Sequence, residues 1–560
     1  MLTDNWKDLA VIAQNIYKES LAKTLELFPF DDKETYDIYD SLPSAIGEST
    51  TDYGNPAEYP IEVYLAKLPA KVKEVTEKNP IELLSDLKSG KYTAVEVLKY
   101  YFHAAIFASK LTNCVQEFLP VESLAYAKNL DENFDKFSKI YPLFGLPISL
   151  KEMIPFTGRA VTHGSLCYLD RITDYNADIV NIMYKNGGNP FVRTTNPQVL
   201  MMLECESFAH GRTVNPFNSR LTSGGSSGGE GAINGIHAST VGFGSDIGGS
   251  IRCPSAFNGI YGMRTTVGRI PTSDYFSCQM GSESILSVTG PLTRSLDVLE
   301  LIVKTIVDAK PWLTDPSLVS LEWRPETKQK FRLGIEWSDE VVNPLPPITR
   351  ALNIVKQKLS AYHNIELVDF KPYNHSRTTE ILGKLYFEDG ARDVKKTLTS
   401  TGEPICEQTV WAIEGAEDLD IQEQWKWNLA KQKYRKEYLK HWQTFNNEEG
   451  EVLDGVIAPV FPNVAAEHRT AKYWSYTSQW NLLDYPVLVF PVSKLDETLD
   501  KPDPDYKPLN ESDKYVHDLY DDPHKFANAP VNLGVVGLRY TEEKLIAIGK
   551  ILREALQAEI

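Results

Sequence analysis

The sequence predicts an α/β protein: one large domain with a twisted, mostly parallel (mixed) central sheet covered by helices on both faces, plus an N-terminal helical extension. Three observations carry this. From Phe144 onward short apolar runs alternate with amphipathic ones, the rhythm of parallel strands joined through crossover helices. Strand signals continue as far as Val531–Val536 with no linker between them, so residues 76–560 read as one domain. Composition is 42% hydrophobic and 24% charged, ordinary for a chain that buries a sizeable core.

Residues 1–75 read as an extension of helical segments and irregular connections, with an acidic, turn-rich piece at Asp31–Pro60. The pattern then sharpens. Pro80 stands at a first helical position ahead of Ile81, Leu83, Leu84 and Leu87, and Gly90 ends that helix. Thr93 and Glu96 form a capping box for a second helix. A third is expected over Val121–Phe137. Phe144–Leu150 reads as a strand ending at Lys151, Ala177–Lys185 as a helix, Phe191–Thr194 as the next strand and Gln198–Ala209 as another helix. Further on, strands are expected at Ser239–Phe243, Ile285–Val288, Leu333–Trp337, Ile365–Val368, Val456–Val460 and Val487–Val492. Helices are expected at Glu230–Ile236, Leu296–Val307, Ile348–Tyr362, Thr379–Leu398, Ile421–Phe445 and Thr541–Leu556. The aromatic residues of the two longest, Tyr386 and Tyr434 among them, read first as core and secondarily as channel lining. Asp496–Asp522 reads as a surface loop.

Between Thr222 and Pro254 glycine and serine are concentrated, and one theme occurs twice, as GGSS and then as GGS. Successive glycines let backbone N–H groups converge on an anion or oxyanion. A flexible linker would lack the apolar stretch AINGIHASTVGF. A phosphate loop would need lysine after its last glycine, where Glu230 stands. Gly224–Gly228 satisfies the G-x-S-x-G pattern, but a polar run precedes it instead of a buried strand. Serines in such a nest suggest acyl transfer.

GGSSGGEGA, a spacer, then GSDIGGSIRCPSAFNG, with Gly145-Leu146-Pro147-Ile148-Ser149-Leu150-Lys151-Glu152 upstream, resembles the amidase signature family of serine hydrolases. The glutamate in GGSSGGEGA and the long N-terminal segment resemble its branch of fungal acetamidases and fatty acid amide hydrolase. The resemblance implies Ser250 as nucleophile, Ser226 as relay, after a cis peptide bond, and neutral Lys151 as base. It further implies backbone N–H groups of Ile247, Gly248, Gly249 and Ser250 as oxyanion hole, with Ser227 in support. Leu200 and Met201 resemble a substrate-lining segment. Asp246 and Arg252 are expected to pin the loop. Three departures are visible: Ser245 where the family has threonine, Thr265 where it has proline, and a Thr195-Asn196-Pro197-Gln198 motif one residue short. A serine is inert at its free pKa, and a lysine serves as base only if burial or neighbouring cations depress its pKa. His237, in the spacer, reads as structural.

The implied activity is hydrolysis of a carboxylic amide to acid and ammonia or amine, on a small to medium aliphatic amide. Alternatives are a longer-chain fatty amide, the glutaminase subunit of a tRNA-dependent amidotransferase, and a non-catalytic binding protein. A formal charge of −18 offers no general basic surface for nucleic acid or anionic membrane. The six cysteines are dispersed without C-x-x-C, which reads as reduced thiols of a cytoplasmic protein. The N-terminus has no secretory h-region, and no run is long enough to span a bilayer. The expected partner is a small-molecule amide, with a homo-oligomer left open. No metal-binding motif is present and no cofactor is expected. Activity should therefore survive dialysis against a chelator. Loss of activity that one added metal restores would contradict this.

Overall fold

The computed structural model describes residues 5–45 and 59–557. Residues 46–58 of the expected acidic, turn-rich piece lie outside them. The helix signals of the early chain work as local chemistry predicts. Asn79 Oδ1 accepts from Ile81 N–H at 3.0 Å ahead of the helix Pro80–Lys88. Thr93 and Glu96 cap each other reciprocally, at 2.9 and 3.1 Å, to open Ala94–Thr112. Fourteen residues of that helix are buried, so it is a core element, not a surface one.

Strands of the main sheet are β1 (Val115–Phe118), β2 (Pro147–Lys151), β3 (Asn189–Thr194), β6 (Val241–Asp246), β7 (Tyr261–Arg264) and β8 (Val288–Thr293), then β9 (Phe331–Glu336), β10 (Ile365–Phe370), β11 (Gly455–Ala458), β12 (Val487–Lys494) and β13 (Pro530–Val536). A separate small hairpin pairs β4 (Glu206–Ser207) with β5 (Gly211–Arg212). Among the described residues the main sheet has eleven strands in the order β1-β3-β2-β6-β8-β7-β12-β13-β11-β9-β10. It is mixed, as expected, and its parallel pairs fall in two groups. β2 runs parallel to β3 and β6, and β9 to β10 and β11. The middle, from β6 through β13, is antiparallel. Less of the sheet is parallel than the β-α-β rhythm suggests, because the short strands β7 and β8 and the pair β12–β13 are joined by direct antiparallel ladders.

The parallel group around β2 positions the site. Ile148 pairs with Val241 and Leu150 with Phe243, so the C-terminal ends of β2 and β6 emerge at one edge. Lys151 and Ser245 are thereby neighbours. Side chains at the carboxyl ends of parallel strands are where open α/β sheets place ligands.

The described N-terminal helices wrap this body. Leu9, Ala10 and Ala13 of Trp6–Leu27 pack on Leu166, Leu169, Met202 and Phe208. Phe28, Phe30, Leu42 and Tyr64 share one apolar cluster with Phe102, Phe107 and Ile233.

Several expected elements differ. Gln198–Ala209 is not a helix: a single 3-10 turn spans Gln198–Leu200, with Val199 and Leu200 at φ 51° and 62°. The apolar spacing there is helical, but polar partners distant in sequence win. Gln198 Oε1 accepts from Cys406 N–H at 2.9 Å, and the Glu204 carboxylate accepts from Arg469 N–H at 2.6 Å and Ala471 N–H at 3.1 Å. Thr379–Leu398 breaks into His375–Leu385 and Arg392–Thr399, where Gly390 and Ala391 both take left-handed backbone. Val121–Phe137 divides at Asn133 into Pro120–Glu132 and Phe134–Ile140. The strand expected at Ile285 begins only at Val288. The loop Asp496–Asp522 contains a helix, Glu511–Asp518, capped by Asn510.

Candidate active site

Lys151 ends β2 with no exposure to solvent. Its Nζ lies 2.6 Å from Ser226 Oγ and 2.9 Å from Ser245 Oγ. Burial pushes the amine down to about 7, against Cys205, Asp246, Glu230 and Glu152, which favour its charged form. The lysine is thus poised to be neutral at moderate pH. Ser226 follows a cis Gly225–Ser226 peptide bond. Ser227 brackets Ser245: its Oγ accepts from Ser245 N–H at 3.3 Å and donates to Ser245 C=O at 3.4 Å.

Ser245 is one residue whose importance the sequence understated. Read there as a mild exchange for threonine, it supplies the second oxygen at the lysine nitrogen. Glu230 is another. Its Oε2 accepts from Ser149 Oγ at 2.6 Å and its Oε1 from Thr194 Oγ1 at 2.8 Å. Ser149 belongs to the lysine strand and Glu230 to the helix Gly228–Gly235 behind Ser226. This bridge therefore fixes lysine and serine relative to each other. Burial pushes the Glu230 carboxyl up to about 7, with the Ser149 and Thr194 hydroxyls pulling the other way. The joint presence of Ser149 in one motif and Glu230 in the other was the available signal.

The second serine loop joins β6 to the helix Arg252–Phe257. Asp246 and Arg252 pin it, as expected. Arg252 Nη2 and Nε donate to Asp246 Oδ1 and Oδ2 at 2.8 and 3.0 Å, and Arg252 Nη1 donates to Thr477 C=O at 2.6 Å. Burial alone would raise the Asp246 carboxyl, but Arg252 and Arg264 hold it well below the usual carboxylate range. One expected oxyanion donor is spent on this anchor: Gly249 N–H donates to Asp246 Oδ1 at 3.0 Å. Ile251 N–H goes to the other carboxylate oxygen, also at 3.0 Å. Gly249 sits at φ +136°, and a Cβ there would fall 2.5 Å from Thr477 Oγ1, which is why the position takes glycine. The N–H groups of Ile247, Gly248 and Ser250 have no hydrogen-bond partner among the described residues.

Ser226, Ser245 and Ser250 open onto one cavity of about 630 Å³. Leu200 and Met201 line it, together with Val199, Ile247, Phe276 and Tyr386. The absence of the expected helix matters here: the irregular backbone at Val199 and Leu200 accompanies the placement of Val199, Leu200 and Met201 together along the cavity. The two serine loops are stitched by Ser227 N–H donating to Ser250 C=O at 3.1 Å.

The mixed sheet, the buried Lys151–Ser226 pair and the glycine-rich loops beside it fit the amide hydrolases, and the chain belongs to the amidase signature family. The family model Amidase matches residues 96–546. A Schizosaccharomyces pombe protein named "Putative amidase C550.07" is 40% identical over 485 residues, covering 86% of this chain and 90% of that protein. The acetamidase of Emericella nidulans is 36% identical over 502 residues, covering 86% and 90%. Among solved structures, a fatty acid amide hydrolase superposes with a TM-score of 0.84 at 33% identity, covering 96% of this chain and 99% of its own. No helix among the described residues is long and apolar enough to cross a membrane.

Proposed function

We propose that the chain hydrolyses aliphatic carboxylic amides through an acyl-enzyme on Ser250, with Lys151 as base acting through Ser226. The observation that carries this is the fully buried Lys151 Nζ, 2.6 Å from Ser226 Oγ, with Ser226 and Ser250 both lining one cavity. Neutral Lys151 takes a proton from Ser226, which takes one from Ser250 as its Oγ attacks the amide carbonyl. Negative charge then develops on the carbonyl oxygen, where the N–H groups of Ile247, Gly248 and Ser250 can meet it. Reversal of the relay delivers the proton to the departing nitrogen, and water releases the acid by the same route.

The fungal acetamidase relatives support a small acyl group. The size of the cavity and its apolar lining of Val199, Leu200, Met201 and Ile247 favour a second reading, in which medium to long chains are accepted. The name of the fatty acid amide hydrolase neighbour points the same way. A panel of primary amides from acetamide through hexanamide to hexadecanamide, scored by ammonia release from the purified chain, separates them. Each methylene buried contributes about 0.8 kcal/mol. On the second reading kcat/KM should therefore rise about fourfold per added CH2 until the cavity is full. A maximum at acetamide would establish the narrow reading, and no ammonia from any member would defeat both.

A further inference from the structure

We infer that Tyr386 is a positioning residue of the oxyanion hole. This rests on the reading of Ser250 as nucleophile and adds to it a brace lying well outside both serine motifs. The hydroxyl of Tyr386 donates to the backbone C=O of Ile247 at 3.0 Å. In a planar trans peptide the C=O and the following N–H point in opposite directions. Holding the Ile247 carbonyl therefore aims the Gly248 N–H away from Tyr386, and that N–H is one of those left without a partner.

A second, independent observation places the hydroxyl against the same unit. A Cβ built on Gly248 would stand 3.0 Å from Tyr386 Oη, so the tyrosine closes one side of the glycine. The next peptide is held in the same way from another helix. Thr477 Oγ1 donates to Gly248 C=O at 2.6 Å, and the Gly249 N–H is consequently directed to Asp246. Two carbonyls of the loop are thus clamped from outside, Ile247 by Tyr386 and Gly248 by Thr477. Thr477 fixes the peptide whose N–H is spent on structure, and Tyr386 fixes the one whose N–H remains for chemistry. Tyr386 follows directly on the helix His375–Leu385, so its placement depends on the break that separates this helix from Arg392–Thr399. The partial packing of its ring against Trp474, with centroids 6.3 Å apart, would survive loss of the hydroxyl.

Tyr386→Phe keeps the ring and removes only the donor. Losing one oxyanion donor outright costs about 10²–10³ in kcat. A donor that remains but is misaimed should cost about 10- to 100-fold in kcat, with KM nearly unchanged. The loss should be the same for acetamide and hexanamide, and the midpoint of the pH–rate profile should not move. Affinity for hexylboronic acid, which forms a tetrahedral adduct on the nucleophile, should fall in parallel with kcat, and binding of hexanoate should not. A KM that rises with chain length would overturn the proposal, because Tyr386 would then be acting as acyl-chain lining. Unchanged kcat and boronate affinity would overturn it as well. A boronate adduct located elsewhere than Ser250 in the unsubstituted enzyme would overturn both this proposal and the catalytic reading beneath it.

Discussion

Replacing Ser250 with alanine is expected to lower amide hydrolysis by about 10⁴- to 10⁶-fold, the scale seen when the nucleophile of a serine hydrolase is removed. The fold should be retained. Ser250 is 4% exposed, and its backbone carries the stitch to Ser227 that alanine keeps. In the unsubstituted enzyme a fluorophosphonate should leave a single adduct, located by mass spectrometry on the peptide containing Ser250. The Asp246–Arg252 pair makes this assignment specific. It holds Gly249 and Ile251 on either side of Ser250 by hydrogen bonds of 3.0 Å each, and Ser250 itself lines the cavity. An adduct elsewhere, with Ser250→Ala still active, would remove Ser250 from the mechanism.

The second large effect concerns Lys151. A base must be unprotonated, and burial brings this amine down to about 7. The rate should therefore rise as pH increases through 7 and hold above it. Lys151→Ala should remove most of the activity. Lys151→Arg should do no better, since guanidinium stays protonated at any working pH. Ser226→Ala should be comparably severe, and the double substitution scarcely worse than either, as residues acting in one unit are not additive.

Stability should respond to pH in the same sense as the rate, and to loss of the amine in the opposite sense. The folded pKa lies below the unfolded value of 10.5, so between about pH 7 and 10.5 the unfolded chain binds the extra proton and this group's contribution improves as pH rises. Lys151→Met, which removes the buried amine, should accordingly raise Tm at neutral pH while activity falls. Near-full activity in Lys151→Arg with an unchanged pH profile would make the lysine a structural cation.

The sequence was most legible where the signal is local. A proline, a cap residue or a glycine constrains the backbone within a few residues of itself, and this is enough to place the helices Pro80–Lys88 and Ala94–Thr112 and the strand that ends at Lys151. The family motifs are local in the same sense, and they brought Lys151, Ser226, Ser227 and Ser250 forward by position. Apolar spacing was less reliable when buried polar groups had better offers. Val199 and Leu200 keep helical spacing in a non-helical segment, because Gln198 and Glu204 satisfy backbone groups about 200 or more positions further along the chain.

By itself, then, the sequence determined the α/β class, the mixed sheet, the amidase resemblance and the strand and loops that carry Lys151, Ser226 and Ser250. Tertiary structure alone decided how those pieces are completed. It gave Ser245 to the lysine nitrogen, joined Ser149 to Glu230, spent the Gly249 N–H on Asp246, and brought Tyr386, just past one helix, and Thr477, within another, onto the loop 247–250. The physical reason is the same in each case. Most buried donors and acceptors take a partner. Within 560 residues many side chains could serve, and only the packed sheet and helices determine which one is within 3 Å.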